Sequence, residues 1–390
     1  MNKARSDIIQ IYEAAVAASL PGPAVQKYLP GYTDDLQKAG RFVIVAIGKA
    51  ANDMAQSAVE YCKAENIAID RTFVVVPEGS AVTVSTKDIY FGGHPLPNQD
   101  SIRAAEDVSH YIAGLSKNDV VLLLLSGGGS ALFELPVSEL TLPKLQDWYK
   151  KLIDSGYTIQ QINKERQRRS LVKGGKLARM TKASMIQLIL SDVIGDKPFE
   201  MVASGPGYAP ELANNKAMMI GSASLAVKAA FDEAARLGYE PVIVDDSIAG
   251  DVADVSRTMV DLCCDIAKQD RDQKVALLAA GEPTIRLTGK GKGGRNMHLA
   301  LSVAAKISRY PGVTFASLGT DGRDGPTDAA GGIVDSTSRG KLSKMAMNIK
   351  QILDDCDSYH ALDEIDALYK RGYTGTNVND LMIGLISKPV

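Results

Sequence analysis

Val121-Leu-Leu-Leu-Leu-Ser-Gly-Gly-Gly-Ser-Ala-Leu132 joins an unbroken apolar run to three consecutive glycines. Five apolar residues in a row suit a strand buried on both faces of a parallel sheet. The glycines form a turn with no Cβ to block close approach, and the residues beyond them open a helix. Backbone N–H groups at such a helix start favour an anion, although a glycine-rich strand end also serves as an ordinary tight turn. No Gly-Lys-Ser/Thr closes the run, which excludes a Walker loop. The spacing is not the dinucleotide fingerprint either.

The same strand-then-helix pattern recurs on both sides of this stretch. Upstream, Ile8 to Leu20 reads as a helix stopped by Pro21-Gly-Pro. Phe42–Ile47 is a strand followed by Gly48-Lys-Ala-Ala and a helix carrying Met54, Val59 and Tyr61, and Thr72–Val76 is a further strand. Downstream comes Met185–Leu190, then the break Gly205-Pro-Gly-Tyr-Ala-Pro210. A second alternating series follows: helix Ser224–Leu237, strand Pro241–Val244, helix Asp251–Ala267, strand Val275–Ala280, a helix near Asn296–Ile307, and strands Val313–Leu318 and Leu381–Ile386. Alternation of this kind specifies an α/β fold with helices covering a mostly parallel sheet. A chain of 390 residues exceeds one ordinary core. Two domains are expected, residues 1–212 and a smaller α/β domain over 213–390.

Hydrophobic residues make up 45% of the chain and charged residues 23%, a globular composition. The formal net charge of -2 gives no electrostatic case for nucleic acid or an anionic membrane. The apolar runs are strand-sized, too short for a membrane span. The N-terminus does not read as a signal peptide, and cytoplasm is the expected compartment. None of the four cysteines lies in a Cys-x-x-Cys pair, so structural zinc is not expected. The expected partner is a small molecule. Nothing in the sequence fixes the oligomeric state, and a homodimer is compatible with it.

Chemistry-bearing residues gather where strands end. Lys49 follows a strand directly, although the helix dipole disfavours a cation there. Ser126, Gly127, Gly128, Gly129 and Ser130 form the candidate anion loop. Asp192, at the end of Met185–Leu190, would hold a metal or accept a proton from a substrate hydroxyl, and Asp196 reads as the cap of a helix near Pro198. Gly289-Lys-Gly-Lys-Gly-Gly294-Arg-Asn reads as a flexible basic segment suited to polyphosphate. Arg295 and Asn296 end it; for Lys290 and Lys292 a solvated hairpin tip serves equally well. Asp321, Asp324 and Asp328, set among glycines, resemble a divalent-cation site, and Asx-turns would explain some of them. Thr374-Gly-Thr-Asn-Val-Asn-Asp380, with Thr376 and Asn377, either binds ligand or caps a turn. His94, in Gly-Gly-His-Pro-Leu-Pro, reads as a structural or pocket-lining histidine, and His298 as background.

Six motifs in order resemble one family: Leu-Ser-Gly-Gly-Gly-Ser-Ala-Leu-Phe-Glu-Leu-Pro, Lys-Gly-Gly-Lys-Leu-Ala, Ser-Asp-Val-Ile-Gly-Asp, Gly-Lys-Gly-Gly-Arg-Asn, Thr-Asp-Gly-Arg-Asp-Gly-Pro-Thr-Asp-Ala-Ala-Gly and Thr-Gly-Thr-Asn-Val-Asn-Asp-Leu. They are similar to the glycerate 2-kinases with a C-terminal MOFRL domain, whose members have also been named hydroxypyruvate reductases. The resemblance implies phosphorylation of D-glycerate at its 2-hydroxyl with ATP and Mg²⁺, or action on a similar sugar acid. It implies a Rossmann-like N-terminal domain. Carried over by motif, Lys49, Asp192 and Arg295 are the catalytic candidates. Ser126–Ser130, Lys292, Asn296, Thr376 and Asn377 are the phosphate- or substrate-binding candidates, and Asp321 and Asp324 the metal candidates. The chain departs from the family at Ser204-Gly-Pro-Gly207, at Gly372-Tyr373 and in Asn163-Lys-Glu-Arg-Gln-Arg-Arg-Ser170, which bears on substrate choice.

Overall fold

The computed structural model describes residues 3–137, 140–193, 198–269 and 272–388. The chain forms two compact units, 21–222 and 1–20 with 223–390.

The first unit is built on a six-stranded sheet: β1 (Phe42–Ile47), β2 (Arg71–Pro77), β3 (Asp88–Gly92), β4 (Val120–Leu125), β5 (Ser184–Leu190) and β6 (Asn215–Gly221). The strand order is β3-β2-β1-β4-β5-β6, and every pairing is parallel. Every residue of β1 and β4 is buried, as expected of central strands covered on both faces. Successive residues of β1 serve opposite faces. Val43, Val45 and Ile47 join the core under the helix Gln99–Ala113. Phe42, Ile44 and Ala46 join the core under the helix Ala51–Ala64. The chain leaves β1 toward one edge and returns at β4 beside it. This order places a topological switch point between the C-terminal ends of β1 and β4, where α/β sheets bind ligands.

The second unit carries β7 (Glu240–Ile248), β8 (Val275–Gly281), β9 (Val313–Gly319), β10 (Gly331–Asp335), β11 (Leu368–Tyr369) and β12 (Asp380–Ile386). Their order is β11-β10-β9-β12-β8-β7. Only β7 and β8 pair in parallel; the others are antiparallel. The last strand therefore enters the middle of the sheet, and Asp380 lies opposite both Gly281 and Gly319.

Two features differ from the boundaries read in the sequence. Residues 213–222 include β6, which completes the first sheet; its polar start and edge position hide it from an apolar-run reading. The helix Lys3–Ala18 belongs with the second unit. It buries Ile8, Ile11, Tyr12, Ala15 and Val16 there, and the Tyr12 hydroxyl donates to the Gly319 carbonyl at 2.8 Å. Among the described residues no single helix is long and apolar enough to cross a membrane.

Candidate active site

In the first unit, the ends of β1, β4 and β5 bring the predicted residues together. Gly48 continues β1 with a φ of 129°, and Ser126 lies so close that no Cβ would fit. The Lys49 amide donates to the Gly127 carbonyl at 2.9 Å. The Ser126 hydroxyl accepts from the Ala50 amide at 3.0 Å. Gly127 faces the Asp192 carboxylate with no space for a side chain. At Gly128, whose φ is 85°, a Cβ would sit 3.3 Å from the Lys49 stem and 3.3 Å from the His94 ring. Lys49, His94 and Asp192 thus converge on a strip of bare backbone. Burial, then the charges of Lys49 and Arg166, hold the His94 pKa below its ordinary value.

The segment after the strip is braced from beneath. A helix does follow the glycines, but it spans only Gly129–Leu132, so the strip relies little on a helix dipole. The Ser130 and Ser204 hydroxyls are 2.8 Å apart, and Ser204 donates to the Asn163 side-chain carbonyl at 2.8 Å. Ala203, Ser204 and Gly205 are all left-handed, with φ of 53°, 60° and 63°. Such conformations cluster at functional sites. Glu134 and Lys173 form an ion pair at 3.0 Å with almost no exposure. Lys173 also donates to the Phe133 carbonyl at 2.7 Å. Burial pushes the Lys173 pKa down while Glu134 opposes it.

In the second unit, Arg295 opens the helix Arg295–Ile307. Its Nε donates to Asp380 at 2.5 Å and one terminal nitrogen donates to Glu282 at 2.8 Å. Burial disfavours charge on both Arg295 and Asp380, but the paired carboxylates hold the guanidinium above its ordinary pKa. Asp324 accepts from the Asn296 amide at 3.1 Å and the Met297 amide at 2.7 Å, capping this helix from outside its own sequence. Burial pushes its carboxyl up to about 7, against those amide bonds. Asn296 is buried and accepts from the Ser317 hydroxyl at 2.5 Å.

Several expectations change on this geometry. The run 289–294 is not a flexible loop: Gly289, Gly291 and Gly293 lie against Asp355, Asp357 and Ser358 too closely for any Cβ. Lys292 has its ammonium 4.0 Å over the Tyr359 ring. Thr376 is buried and donates to the Ser19 carbonyl at 2.6 Å, and Asn377 accepts from the Asn379 amide at 3.2 Å; both tie the loop that feeds β12. Asp321 accepts from the Arg323 amide at 2.9 Å, an Asx-turn. Asp324 is thus occupied in capping the helix Arg295–Ile307, while Asp321 turns its own loop. Among the described residues no group of three His, Cys, Asp or Glu side chains would hold a metal. Asp196 lies outside the described residues. The sequence reading quoted Asp380 only as the end of a polar turn and missed Glu282, which binds Arg295 together with it; it also gave no role to Arg166 and Glu134, which gather around Tyr149. Glu134 and Asp380 showed only as polar residues beside apolar runs, and Arg166 as one of many charged residues in a polar helix.

Comparison with known proteins adds independent findings. Residues 7–236 match the domain of unknown function DUF4147, and residues 275–380 match the MOFRL family. A protein of Thermotoga maritima named D-glycerate 2-kinase is 36% identical, the match covering 97% of each chain. A putative hydroxypyruvate reductase of Agrobacterium vitis is 33% identical over 98% of this chain and 94% of its own. The crystal structure of a glycerate kinase from Thermotoga maritima superposes with a TM-score of 0.90 at 35% identity, covering 98% of this chain and 99% of that one.

Proposed function

This chain belongs to the glycerate kinase family that joins a DUF4147 domain to a MOFRL domain, and on that premise we propose that it is a D-glycerate 2-kinase. It transfers the γ-phosphoryl group of ATP to the 2-hydroxyl of D-glycerate, giving 2-phosphoglycerate and ADP. Phosphoryl transfer needs positioning and charge neutralisation more than covalent help from the protein. One observation carries the reading: Asp192 and Lys49 converge on the bare backbone of Gly127 and Gly128 at the switch point of a parallel sheet. Asp192 orients the attacking hydroxyl and takes its proton as the new P–O bond forms and the bond to ADP breaks. Lys49 neutralises an anionic group held on the glycine strip. Arg295, kept charged by Asp380 and Glu282 within the second unit, is the cation which that unit offers to an anionic group.

Resident Mg²⁺ has no built site in the described side chains, so the ion would enter with ATP, coordinated by phosphate oxygens and water. The reductase reading is weaker. The strand order suits a dinucleotide, but the first βα turn, Gly48-Lys-Ala-Ala, lacks the glycines a pyrophosphate requires. The four buried free cysteines fit a reducing cytoplasm. ADP release on a panel of short sugar acids tests the assignment. D-glycerate is expected to give the highest kcat/KM. ATP-independent oxidation of NADH with hydroxypyruvate would overturn it.

A further inference from the structure

Arg166 lies on the helix Ile159–Arg169 and took no part in the assignments above. Its guanidinium stands 4.9 Å from the centre of the Tyr149 ring. The Tyr149 hydroxyl reaches the Ser130 carbonyl at 2.9 Å, at the end of the glycine strip, and the Glu134 carboxylate at 2.5 Å. Arg166 therefore stacks on the ring whose hydroxyl holds Ser130, and its charge reaches His94, which touches the loop at Gly128. Its Nε is buried and has no hydrogen-bond partner. A buried charged donor left unmade is costly, and such orphans in a native structure call for a missing acceptor. Glu134 also lies against Tyr149, yet one of its oxygens serves Lys173 and Tyr149 while the other likewise lacks a partner. The buried Glu134 charge is already matched by Lys173. Arg166 is thus a half-buried cation in surplus, and its charge acts on His94 together with that of the exposed Lys49.

The reaction supplies two anions side by side. On D-glycerate the carboxylate adjoins the carbon that receives the phosphoryl group, so both charges must be neutralised within one small ligand. The geometry points to Arg166 as the residue that recognises the substrate carboxylate, leaving Lys49 to the phosphoryl side. A planar guanidinium matches a planar carboxylate at two points, and an ammonium does not. The Tyr149 ring holds the guanidinium 4.9 Å from its centre. Nearness to the site has a second sign: the charges of Lys49 and Arg166 both depress the His94 pKa, after burial. His94 is thereby kept neutral and adds no competing charge. This inference rests on the glycerate kinase reading and names the residue that makes the enzyme require an acid.

The test compares D-glycerate with its uncharged amide, D-glyceramide, by calorimetric binding and by turnover, in the wild type, Arg166→Gln and Arg166→Lys. Charged hydrogen bonds of this kind are worth roughly tenfold to a hundredfold in affinity. The wild type is expected to prefer the acid by that factor. In R166Q the preference collapses to within a few-fold, and in R166K it recovers partly, with the KM for ATP unchanged throughout. A merely structural Arg166 would weaken acid and amide equally, and that result overturns the inference. A loss that falls on the KM for ATP overturns it too, since Arg166 would then serve the nucleotide. Should R166Q fail to fold, R166K decides: an undiminished preference for the acid contradicts the two-point fork. Because binding is read separately from turnover, a wild type that binds the acid through Arg166 without releasing ADP would refute the kinase reading alone.

Discussion

Lys49 stands just before the helix Ala51–Ala64, where the macrodipole opposes a positive charge. A cation kept at such a place has a use that outweighs the local penalty. Its stem lies on Gly128, across the strip from Asp192, and that pairing of charge with bare backbone was legible in the sequence because each piece directly follows a strand. Lys49→Ala is expected to lower kcat/KM roughly 10²-fold or more, the scale of losing one preorganised charge. Circular dichroism would confirm the fold, and near-normal turnover in the folded variant would make Lys49 a plain surface residue. Asp192→Asn keeps the shape but removes the charge and the proton acceptor. Its loss should fall on kcat, with ATP affinity retained by titration. Vanished ATP binding in a folded D192N protein would assign the carboxylate to nucleotide or metal instead. Ser126 and Asn296 were equally visible as polar residues at the right places, but side chains that brace a turn and side chains that meet a ligand are spelled alike. Only burial separates them.

The helix Arg295–Ile307 shows what a local reading of an element loses. Its N-terminal amides are capped by Asp324, a residue 28 positions on, so no sequence rule for N-caps applies. The glycines before it signalled flexibility, yet they exist for close approach to 355–358, a segment more than sixty residues away. The Asp324 carboxyl is pushed up to about 7 from an ordinary value of 3.8, chiefly by burial. The native state therefore holds a proton that the unfolded chain releases between about pH 4 and pH 7, and this contribution to stability declines as pH rises across that window. Asp324→Asn cannot titrate. The stability gap between wild type and D324N should shift toward the variant by on the order of a few kcal/mol from pH 4 to pH 7, measured by thermal or urea unfolding. A gap that stays constant would mean the carboxyl titrates normally.

At the scale of the whole chain, the alternation of strands and helices made β1, β2, β4 and β5 of the first sheet legible, because apolar runs such as Val120–Leu125 report burial on both faces, while the edge strands β3 and β6 were not read. The second sheet was less legible: β10 begins at Gly331-Gly332, and β11 has two residues. The N-terminal helix was seen as a helix, but its membership in the second unit depends on partners 200 to 360 residues distant. Ile11→Ala should cost about 2–5 kcal/mol, with amide exchange accelerating in β9 and β12 and not in β1 or β4. Uniform acceleration across both sheets would show that the two units unfold as one. The regiochemistry of the product rests on kinship with 2-kinases rather than on any residue that sets it, and it is the claim most directly open to measurement. With ATP, Mg²⁺, D-glycerate and enolase in one cuvette, the 2-phosphate is converted directly, so absorbance from phosphoenolpyruvate should rise without added phosphoglycerate mutase. A signal that appears only once mutase is supplied would make the enzyme a 3-kinase and contradict the account.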